Sequence, residues 1–283
     1  MPDDSPGSRR KPAPLSHYRL DEAHAGLSLA DYDPGAKPCS SGDKAADKAA
    51  VEALAQELDG LQNLFYADRR YKLLVVLQGL DTSGKDGTLR GVFGRMSPLG
   101  VRAVGWKAPS AEERDHDYLW RIHRQVPAAG EIVVFNRSHY EDVLVPVVEG
   151  WIDARQTAQR YAQIRDFERL LAETGTVILK CMLHISKEEQ AVRLQERVDD
   201  PAKRWKFNPG DLDDRALWDD YMKAYEEALI RCSTPQAPWH VIPADRNWVR
   251  NGIIARIVRQ TLEEMNPELP QAKGWDPATI KIT

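Results

Sequence analysis

The sequence predicts an α/β fold in which a parallel β-sheet is covered by helices on both faces. The predicted strands are short and apolar, and they lie at 73–78, 101–105, 131–135, 176–182 and 239–243. Helical patterns fall between and after them, at 85–97, 111–126, 153–174 and 246–265. Two predicted helix starts carry the capping-box pattern: Ser110 with Glu113, and Ser186 with Glu189. Strands that alternate with helices pair in parallel, because each helix crosses over one face of the sheet.

The chain is predicted to form one domain between two tails. Residues 1–42 are rich in Pro, Ser, Gly and charge, which predicts a flexible arm with some segments that wrap the body. The next segment, 43–67, is predicted to be a long helix. Its apolar residues form one stripe: Leu54, Leu58, Leu61 and Phe65. The domain is expected to span 43–268, and residues 269–283 form a C-terminal tail.

The composition favours an enzyme of a reducing compartment. The formal net charge of the 283 residues is −4, so neither nucleic acid nor a membrane is an expected partner. No apolar stretch approaches the roughly 20 residues of a membrane span, and no secretory signal is present at the start. The cysteines are widely spaced and match no metal-binding pattern: Cys39, Cys181 and Cys232. We therefore expect a cytoplasmic enzyme.

Residues 72–88 are the most informative segment, because a strand, a glycine-rich loop and a helix follow one another there. The loop has the spacing Gly79-x4-Gly84-Lys85, which holds phosphate oxygens on backbone N–H groups and at the positive end of a helix. Lys85 adds a mobile positive charge. The alternative is a glycine turn followed by a chance lysine. The residues expected to contact phosphate with Lys85 are Gly79, Thr82, Ser83, Gly84, Asp86 and Gly87.

Two acidic residues make this loop unusual. Asp86 stands where an ordinary ATP site has the Ser or Thr that binds magnesium. Asp81 lies inside the loop, where its carboxylate would repel a bound phosphate. Asp81 either holds a metal ion between two phosphate-bearing substrates or braces the loop by accepting backbone N–H bonds.

A second group of polar residues follows the third predicted strand. Asn136, Arg137 and Ser138 would lie at the carboxyl edge of the sheet, where ligands of open α/β sheets bind. Arg137 is suited to bind phosphate through two N–H groups, and Asn136 supplies an uncharged oxygen. Glu141 and Asp142 are either magnesium ligands or acids favoured by a helix start.

The segment 107–124 offers further positive charge on a predicted helix. Arg114 and Arg121 are seven residues apart, so they would share one face of that helix. Such arginines either stay in solvent or extend a phosphate-binding groove. The predicted phosphate ligands in this segment are Lys107, Arg121 and His123.

Residues 186–212 are similar to the mobile lid of a phosphotransferase, which closes over a site and excludes water. Arg193 and Arg197 are four residues apart and would project from one face of a helix. Pro201 breaks that helix, and a loop with Lys206 follows. The alternative is an ordinary surface helix held by ion pairs.

Three motifs together resemble the polyphosphate kinase 2 family. They are Gly79-Leu80-Asp81-Thr82-Ser83-Gly84-Lys85-Asp86-Gly87, Leu119-Trp120-Arg121-Ile122-His123 and Phe135-Asn136-Arg137-Ser138-His139-Tyr140-Glu141-Asp142. The likeness continues through Trp205-Lys206, Asp219-Asp220-Tyr221, Ala237-Pro238-Trp239 and Ala244-Asp245, and it covers about residues 45–265. The phosphate loop alone is not specific, whereas the combination is.

The resemblance implies a P-loop kinase-like fold with three layers and a helical lid. It also implies a magnesium-dependent enzyme that moves a terminal phosphate reversibly between inorganic polyphosphate and adenine nucleotides. Manganese as a substitute ion, guanine nucleotides as further substrates and a homo-oligomeric state are part of the same expectation. Asp81, Lys85 and Arg137 are similar to the essential catalytic residues of the family, and Arg193 and Arg197 to its lid arginines.

One departure from the common family pattern concerns substrate choice. Asn136 stands where many members have aspartate, and Glu141 stands where they have asparagine, so the number of carboxylates is kept. This exchange is similar to the subgroup that phosphorylates AMP as well as ADP.

Two other functions stay open at this point. One is an ATP-dependent nucleoside monophosphate kinase of the thymidylate-kinase type, against which Asp86 argues. The other is an inactive nucleotide sensor, against which the presence of all three catalytic residues argues.

Overall fold

A five-stranded parallel sheet between two layers of helices forms the body of the protein. A computed structural model describes residues 15–20, 26–271, 274 and 279–282. The strands are β1 (Lys72–Gln78), β2 (Val101–Gly105), β3 (Ile132–Asn136), β4 (Thr176–His184) and β5 (Trp239–Pro243). Their order is β2-β3-β1-β4-β5, and every neighbouring pair is parallel. The predicted strands and the predicted fold class are confirmed.

Helices cover both faces of this sheet. They are α1 (Lys44–Asp68), α2 (Lys85–Thr88), α3 (Ala111–Arg114), α4 (Trp120–His123), α5 (Glu141–Val148), α6 (Ala154–Glu173), α7 (Lys187–Asp199), α8 (Gly210–Ala216), α9 (Trp218–Cys232) and α10 (Asn247–Glu264). α1 packs on α10, whereas α5, α6 and α9 pack on one another. The predicted helices at 43–67, 153–174 and 246–265 are confirmed as α1, α6 and α10. Among the described helices, none has the length and apolar character that crossing a bilayer requires.

β1 is the central strand of the sheet, and its two neighbours determine where the site lies. Its residues from Leu73 to Leu77 are fully buried, as expected for a parallel strand covered on both faces. Leu77 pairs with Asn136 of β3 on one side and with Cys181 of β4 on the other. The loops that follow β1 and β3 therefore meet at one edge of the sheet, and this is the edge predicted to bind the ligand.

The predicted helix at 85–97 ends early. α2 stops at Thr88, and Leu89–Phe93 continues as a π-helical turn. Gly91 lies in this turn, and a Cβ there would be 2.2 Å from Asn251 Nδ2 of α10. The Asn251 side chain of α10 thus lies against the backbone of the widened turn, and a Cβ at position 91 would displace it. Helical periodicity does not carry that information.

The predicted continuous helix at 111–126 is wrong, because α3 and α4 are two separate single turns. The residues between them include Asp117, whose Oδ1 accepts a hydrogen bond from the Leu119 N–H (2.9 Å). Such a local bond competes with the helical bonds of the backbone. Arg114 and Arg121 therefore lie on different helices, and the expectation that they share one helix face is also wrong.

The two predicted capping boxes differ in outcome. At Ser110 both bonds of the box are present, with Glu113 as the partner. At Ser186 the hydroxyl accepts the Glu189 N–H (3.1 Å), but the Ser186 N–H donates to Asp245 Oδ1 (2.8 Å). Asp245, in the turn between β5 and α10, thus accepts the bond that Glu189 would accept in a complete capping box. This bond connects the base of the predicted lid to the body of the protein.

The described parts of the N-terminal segment pack on the body. Tyr18, Leu20 and Leu29 are buried. The Leu20 N–H donates to the carbonyl oxygen of Trp239 in β5 (2.8 Å), which holds this part of the chain beside the sheet. These segments wrap the body. Of the predicted arm, residues 1–14 and 21–25 lie outside the described residues, and the division into arm, domain and tail stays a prediction.

Candidate active site

The glycine loop lies between β1 and α2, in the arrangement predicted for a phosphate site. Gly79 and Gly84 have φ angles of 147° and 103°, and Thr82 has a φ of 63°. A Cβ on Gly79 would lie 2.8 Å from the Leu183 carbonyl oxygen, and one on Gly84 would lie 1.8 Å from Arg250 Nη1. Only glycine fits at both positions, because the backbone there has a positive φ and neighbouring atoms touch it.

Several polar groups of this loop have no partner in the described part of the protein. Thr82 Oγ1 and Ser83 Oγ are buried without a hydrogen bond. The N–H groups that begin α2 have no partner within the helix. Buried donors without acceptors destabilise a fold, so these groups fit a ligand that brings acceptor oxygens. A phosphate chain is such a ligand.

Lys85 lies inside the loop rather than in solvent. Its side chain is buried, and its ammonium group donates to the carbonyl oxygens of Gly79 and Leu80, the latter at 3.1 Å. Burial, and after it the charge of Arg137, lower the pKa of Lys85 to about 8. The lysine is therefore held in place before any ligand binds, and a bound phosphate would favour its charged form.

Arg137 joins the two acidic residues that the sequence analysis connects with metal binding. Its Nη2 lies 2.6 Å from Asp81 Oδ1, and its Nη1 lies 3.2 Å from Glu141 Oε2. Burial would raise the pKa of Asp81, but Lys85, Arg137 and Arg197 hold it below its usual value. Glu141 and Asp81 in turn raise the pKa of Arg137 against the effect of burial. Asp81 and Arg137 are thus both charged at neutral pH.

The carboxylates near Arg137 fit a magnesium ion. Asp81, Glu141 and Asp214 line one small cavity. The described residues contain no group of three or more His, Cys, Asp or Glu side chains that could hold a metal ion by themselves. Magnesium often binds to only one or two carboxylates, together with water and phosphate oxygens. Asp142, the third predicted metal ligand, does not line this cavity. Its carboxylate lies 3.7 Å from Arg121, and burial raises the pKa of Asp142.

Asp86 connects three elements through its carboxylate. Oδ1 accepts a hydrogen bond from Asn136 Nδ2 at the end of β3 (2.8 Å), and Oδ2 accepts one from Lys206 Nζ in the lid (3.0 Å). Burial would raise the pKa of Asp86, but these two bonds lower it. The predicted contact of Asp86 with phosphate is therefore suited to its backbone N–H, whereas its side chain holds the lid against α2.

Replacing Lys206 with methionine is expected to weaken lid closure with little effect on stability. The pair with Asp86 is partly exposed, so it contributes at most about 1 kcal/mol, which corresponds to a loss of about fivefold in kcat/KM if all of it favours the closed lid. Steady-state kinetics and urea unfolding measure the two effects. Lys203, in the same lid and paired with Glu196 and Asp200, provides the matched control. An equal kinetic loss in Lys203→Met would contradict the role of Lys206.

Arg193 ties the lid to the glycine loop. Its guanidinium donates to the carbonyl oxygens of Thr82 (2.9 Å), Ala244 (2.9 Å) and Asp245 (2.8 Å), and its Nε donates to Glu189 (3.0 Å). Four bonds to the protein hold it at the base of the lid. The structure therefore places this predicted lid arginine behind the loop, and its contact with phosphate stays a prediction.

Arg197 lies one turn further along α7 and bonds to the segment that follows this helix. Its Nη1 donates to Asp211 Oδ2 and to the Lys206 carbonyl oxygen, both at 3.2 Å. Its charge helps to lower the pKa of Asp81. Of the two predicted lid arginines, Arg197 therefore acts electrostatically on the cavity between the loop and β3.

A second cavity lies along β2 and contains two of the predicted phosphate ligands. Lys107, Arg121 and Trp106 line it. Arg121 Nη1 donates to the Lys107 carbonyl oxygen (2.8 Å), and the ring of Trp106 lies under the guanidinium (5.3 Å). His123 is exposed and meets the ring of Phe167 edge-on (5.5 Å). The structure thus brings Lys107 and Arg121 together and leaves His123 outside the lining of this cavity.

Gln78 contacts the candidate site and was not predicted from the sequence. It ends β1, is fully buried, and its amide contacts Glu141. Ser138, predicted as a phosphate ligand, is also fully buried, donates to Gln78 Oε1 (3.2 Å) and accepts the Tyr140 N–H (3.1 Å). Both side chains therefore position the segment that carries Arg137. A polar residue at the end of an otherwise apolar strand is the signal that identifies Gln78.

Asp214 was missed for a different reason. It lies on α8, which no periodic pattern predicted, and the Tyr221 hydroxyl donates to its carboxylate (2.9 Å). Burial raises the pKa of Asp214. With Tyr221 and Tyr225 it closes the far wall of the cavity that Asp81 begins.

A buried ionic network supports the site from behind. Lys180 of β4 is fully buried, and its Nζ donates to Glu168 Oε2 (2.6 Å) and to the Tyr140 hydroxyl (2.8 Å). Glu168 Oε1 accepts the Tyr140 hydroxyl (2.8 Å) and lies 3.2 Å from His139 Nε2. Burial would raise the pKa of Glu168, but Lys180 and His139 hold it low. The network anchors the two residues that follow Arg137 and Ser138, so it fixes the segment between β3 and α5.

Comparison with known proteins agrees with this geometry. The model of the family "Polyphosphate kinase 2 (PPK2)" matches residues 41–270. The chain is 51% identical to the AMP/ADP-polyphosphate phosphotransferase of Meiothermus ruber, over 91% of this chain and 96% of that protein. It is 39% identical to the ADP-polyphosphate phosphotransferase of Rhodopseudomonas palustris, over 76% and 79% of the two chains. The crystal structure of polyphosphate kinase 2 from Arthrobacter aurescens TC1 has a TM-score of 0.89 and 45% identity, with 95% of both chains covered. The fold, the charged site behind the glycine loop and these likenesses show that the chain belongs to the polyphosphate kinase 2 family.

Proposed function

We propose that the protein transfers the terminal phosphate of inorganic polyphosphate to ADP and to AMP. Family membership supports the phosphate donor, and the relatives described above are named for ADP or for both nucleotides. The observation that carries the proposal is the position of Arg137 between Asp81 and Glu141, beside a glycine loop with a buried Lys85. Such a group of opposite charges would suit a position between two phosphate-bearing substrates.

The protein's part in the transfer is to hold phosphates and to balance their charge. One phosphoanhydride bond breaks while another forms, so the reaction is nearly balanced in free energy and reversible. The N–H groups of the loop and the ammonium of Lys85 bind a phosphate chain. Arg137 gives one bond from each terminal nitrogen to a carboxylate, which leaves N–H groups of its guanidinium for the phosphate in transfer.

We propose magnesium as the ion of this reaction. Asp81 and Glu141 would hold it, with Asp214 at the wall of the same cavity. A bound magnesium ion supplies positive charge to phosphate oxygens that gain negative charge during transfer. Manganese as a substitute, guanine nucleotides as further substrates, a homo-oligomeric state and a cytoplasmic location stay predictions.

The proposal that AMP is a substrate rests on the exchanged residues Asn136 and Glu141. Both exchanged positions make contacts around the loop: Asn136 donates to Asp86 (2.8 Å), and Glu141 is held by Gln78 and Arg137. The exchange moves a carboxylate from the β3 end to the start of α5, beside the cavity of Asp81. The name of the Meiothermus ruber relative, which includes AMP, supports this reading.

Synthesis of ATP in a mixture without added ATP tests the proposal. With magnesium and long-chain polyphosphate, we expect ATP to form from ADP, and ADP followed by ATP to form from AMP, measured by chromatography of the nucleotides. Absence of any ATP from ADP and polyphosphate would contradict the proposal. Formation of ADP from AMP only when ATP is supplied would favour a nucleoside monophosphate kinase instead.

Asp81→Asn is expected to lower kcat by a factor of about 100 or more, because it removes a carboxylate that pairs with Arg137 and would hold magnesium. The dependence of the rate on magnesium concentration should shift to higher concentrations at the same time. Asp220→Asn, at an exposed position on α9, is the matched control and should behave as the wild type. Normal turnover with an unchanged magnesium dependence in Asp81→Asn would show that this carboxylate has no such role.

A further inference from the structure

Arg250 of α10 lies directly against the glycine loop. It is 1% exposed, and its Nη1 donates to the Ser83 carbonyl oxygen (3.1 Å) and to Asn247 Oδ1 (2.9 Å). A Cβ on Gly84 would lie 1.8 Å from Nη1, and one on Gly87 would lie 2.9 Å from Nη2. The backbone of the loop and of the first helical turn therefore rests on this guanidinium group, and no side chain other than hydrogen fits between them.

The positive charge of Arg250 has no carboxylate partner among the residues that the structure describes. Its remaining contacts are with the neutral Oδ1 of Asn251, at 3.0 Å and 3.2 Å. The charged group that acts on it is another cation, Arg193, which donates to the Thr82 carbonyl oxygen (2.9 Å). Burial, and after it Arg193, lower the pKa of Arg250 to about 9. A buried charge without a counter-ion is unfavourable, and an anion in the loop would relieve it.

The bond from Arg250 also orients the peptide group between Ser83 and Gly84. A trans peptide is planar, with its C=O and its N–H on opposite sides. Because the Ser83 carbonyl oxygen faces Arg250, the Gly84 N–H faces the other way. The buried hydroxyl groups of Thr82 and Ser83, which lack protein partners in the described region, belong to the same turn. Carbonyl groups of this turn are thus directed at two arginines, and its donors stay available for a ligand.

We propose that Arg250 is a positioning residue for phosphate binding, which orients the Ser83–Gly84 peptide and supplies buried positive charge that a phosphate chain in the loop neutralises. The chain is that of polyphosphate or that of the nucleotide. The proposal rests on the proposed function in that its ligand carries linked phosphates. Arg250 acts through the loop and does not touch the ligand, and it belongs to none of the predicted site residues.

Direct binding measurements separate the charge from the hydrogen bond. Calorimetric titrations with tripolyphosphate and with ADP, each alone, avoid turnover. Arg250→Gln removes the charge, and its shorter amide no longer reaches the Ser83 oxygen, so we expect about 10- to 100-fold weaker binding of the ligand that occupies the loop. Arg250→Lys keeps the charge but loses the forked donor, and a loss of about threefold to tenfold is expected. Arg259→Met removes an exposed charge from the same helix and should bind as the wild type.

Kinetics provide a readout that a merely structural role would not produce. The charge acts on the bound substrate and on the transition state alike, so Arg250→Gln should raise KM while kcat at saturation stays within about threefold of the wild-type value. A lower kcat and a lower unfolding midpoint at unchanged affinity would show a structural role and overturn the proposal. If Arg250→Gln does not fold, Arg250→Met is measured instead with the same two ligands, and wild-type affinity for both in that variant overturns the proposal as well.

The two ligands identify the source of the phosphates. A loss confined to tripolyphosphate assigns the loop to polyphosphate, and a loss confined to ADP assigns it to the nucleotide. Wild-type affinity for both ligands in Arg250→Gln, or an equal loss in Arg259→Met, would overturn the proposal. A wild-type protein that binds tripolyphosphate but makes no ATP would refute the proposed function and leave this inference intact.

Discussion

Lys180→Met is expected to lower the free energy of unfolding by about 3–5 kcal/mol, the usual effect of removing one partner of a buried ion pair. Lys180 and Glu168 are 0% and 2% exposed, and their charged atoms are 2.6 Å apart. Without the ammonium group, Glu168 stays buried and loses its main counter-charge, and the Tyr140 hydroxyl and the Cys232 carbonyl oxygen each lose a bond. Urea unfolding followed by circular dichroism measures the change.

The double variant Lys180→Met with Glu168→Gln tests whether the uncompensated charge causes the loss of stability. It removes both charges, so it should recover a large part of the lost stability. Lys223→Met, which removes an exposed lysine paired with Asp220, should leave the unfolding midpoint where it is. A Lys180→Met protein that unfolds at the same urea concentration as the wild type would show that the network does not stabilise the fold.

Lys85→Met is expected to reduce the rate of phosphate transfer by a factor of about 1,000, because it removes a preorganised positive charge from the loop. The side chain is already held by the Gly79 and Leu80 carbonyl oxygens, so its charge needs no reorganisation when the ligand binds. Single-turnover measurements with saturating polyphosphate isolate this step. Lys72→Met is the control, because Lys72 begins β1, the strand that leads into the glycine loop, and its ammonium donates to the Thr174 carbonyl oxygen. Equal losses in the two variants would point to a general defect in β1.

The same lysine predicts a pH dependence. Because the pKa of Lys85 is lowered to about 8, the free enzyme holds the charged form below that pH and loses it above. We expect kcat/KM for polyphosphate to fall as pH rises through about 8, by a factor approaching ten for each further pH unit. Lys85→Arg keeps its charge in this range, so its profile should stay flat there. A wild-type profile without a fall up to pH 9.5 would contradict this assignment.

The features that can be predicted from the sequence are those that neighbouring residues and the geometry of the sheet determine. Asp81 and Arg137 follow two strands that are adjacent in the sheet, so their meeting at one edge could be expected, and the structure joins them at 2.6 Å. The glycine loop was recognisable because its spacing reflects local backbone conformation. The same holds for the strands, which are buried on both faces and therefore apolar throughout.

Long-range contacts account for what was missed. Arg250 is 167 positions from Ser83 and lies in the first turn of α10. The periodic pattern of that segment predicts a helix but not the partner of Arg250. Lys180 lies in the middle of an apolar strand, and its burial is possible because Glu168 of α6 binds its ammonium group. The helical pattern of α6 does not show that Glu168 has this partner. At 111–126 the helical pattern was outweighed by a local side-chain bond of Asp117. Charged residues that are buried and paired at a distance leave little trace in local periodicity.

The position of Arg193 has a consequence for protein engineering. This residue bonds α7 both to the Thr82 carbonyl oxygen and to the turn after β5. We therefore expect the first two turns of α7 to move together with the glycine loop. A chimaera that receives its lid from a relative should therefore be joined after Asp199, where α7 ends. A junction at Ser186 would exchange the support of the loop along with the lid. Transplanted segments that begin beyond the helix should keep the bonds of Arg193 to the glycine loop and to the turn after β5.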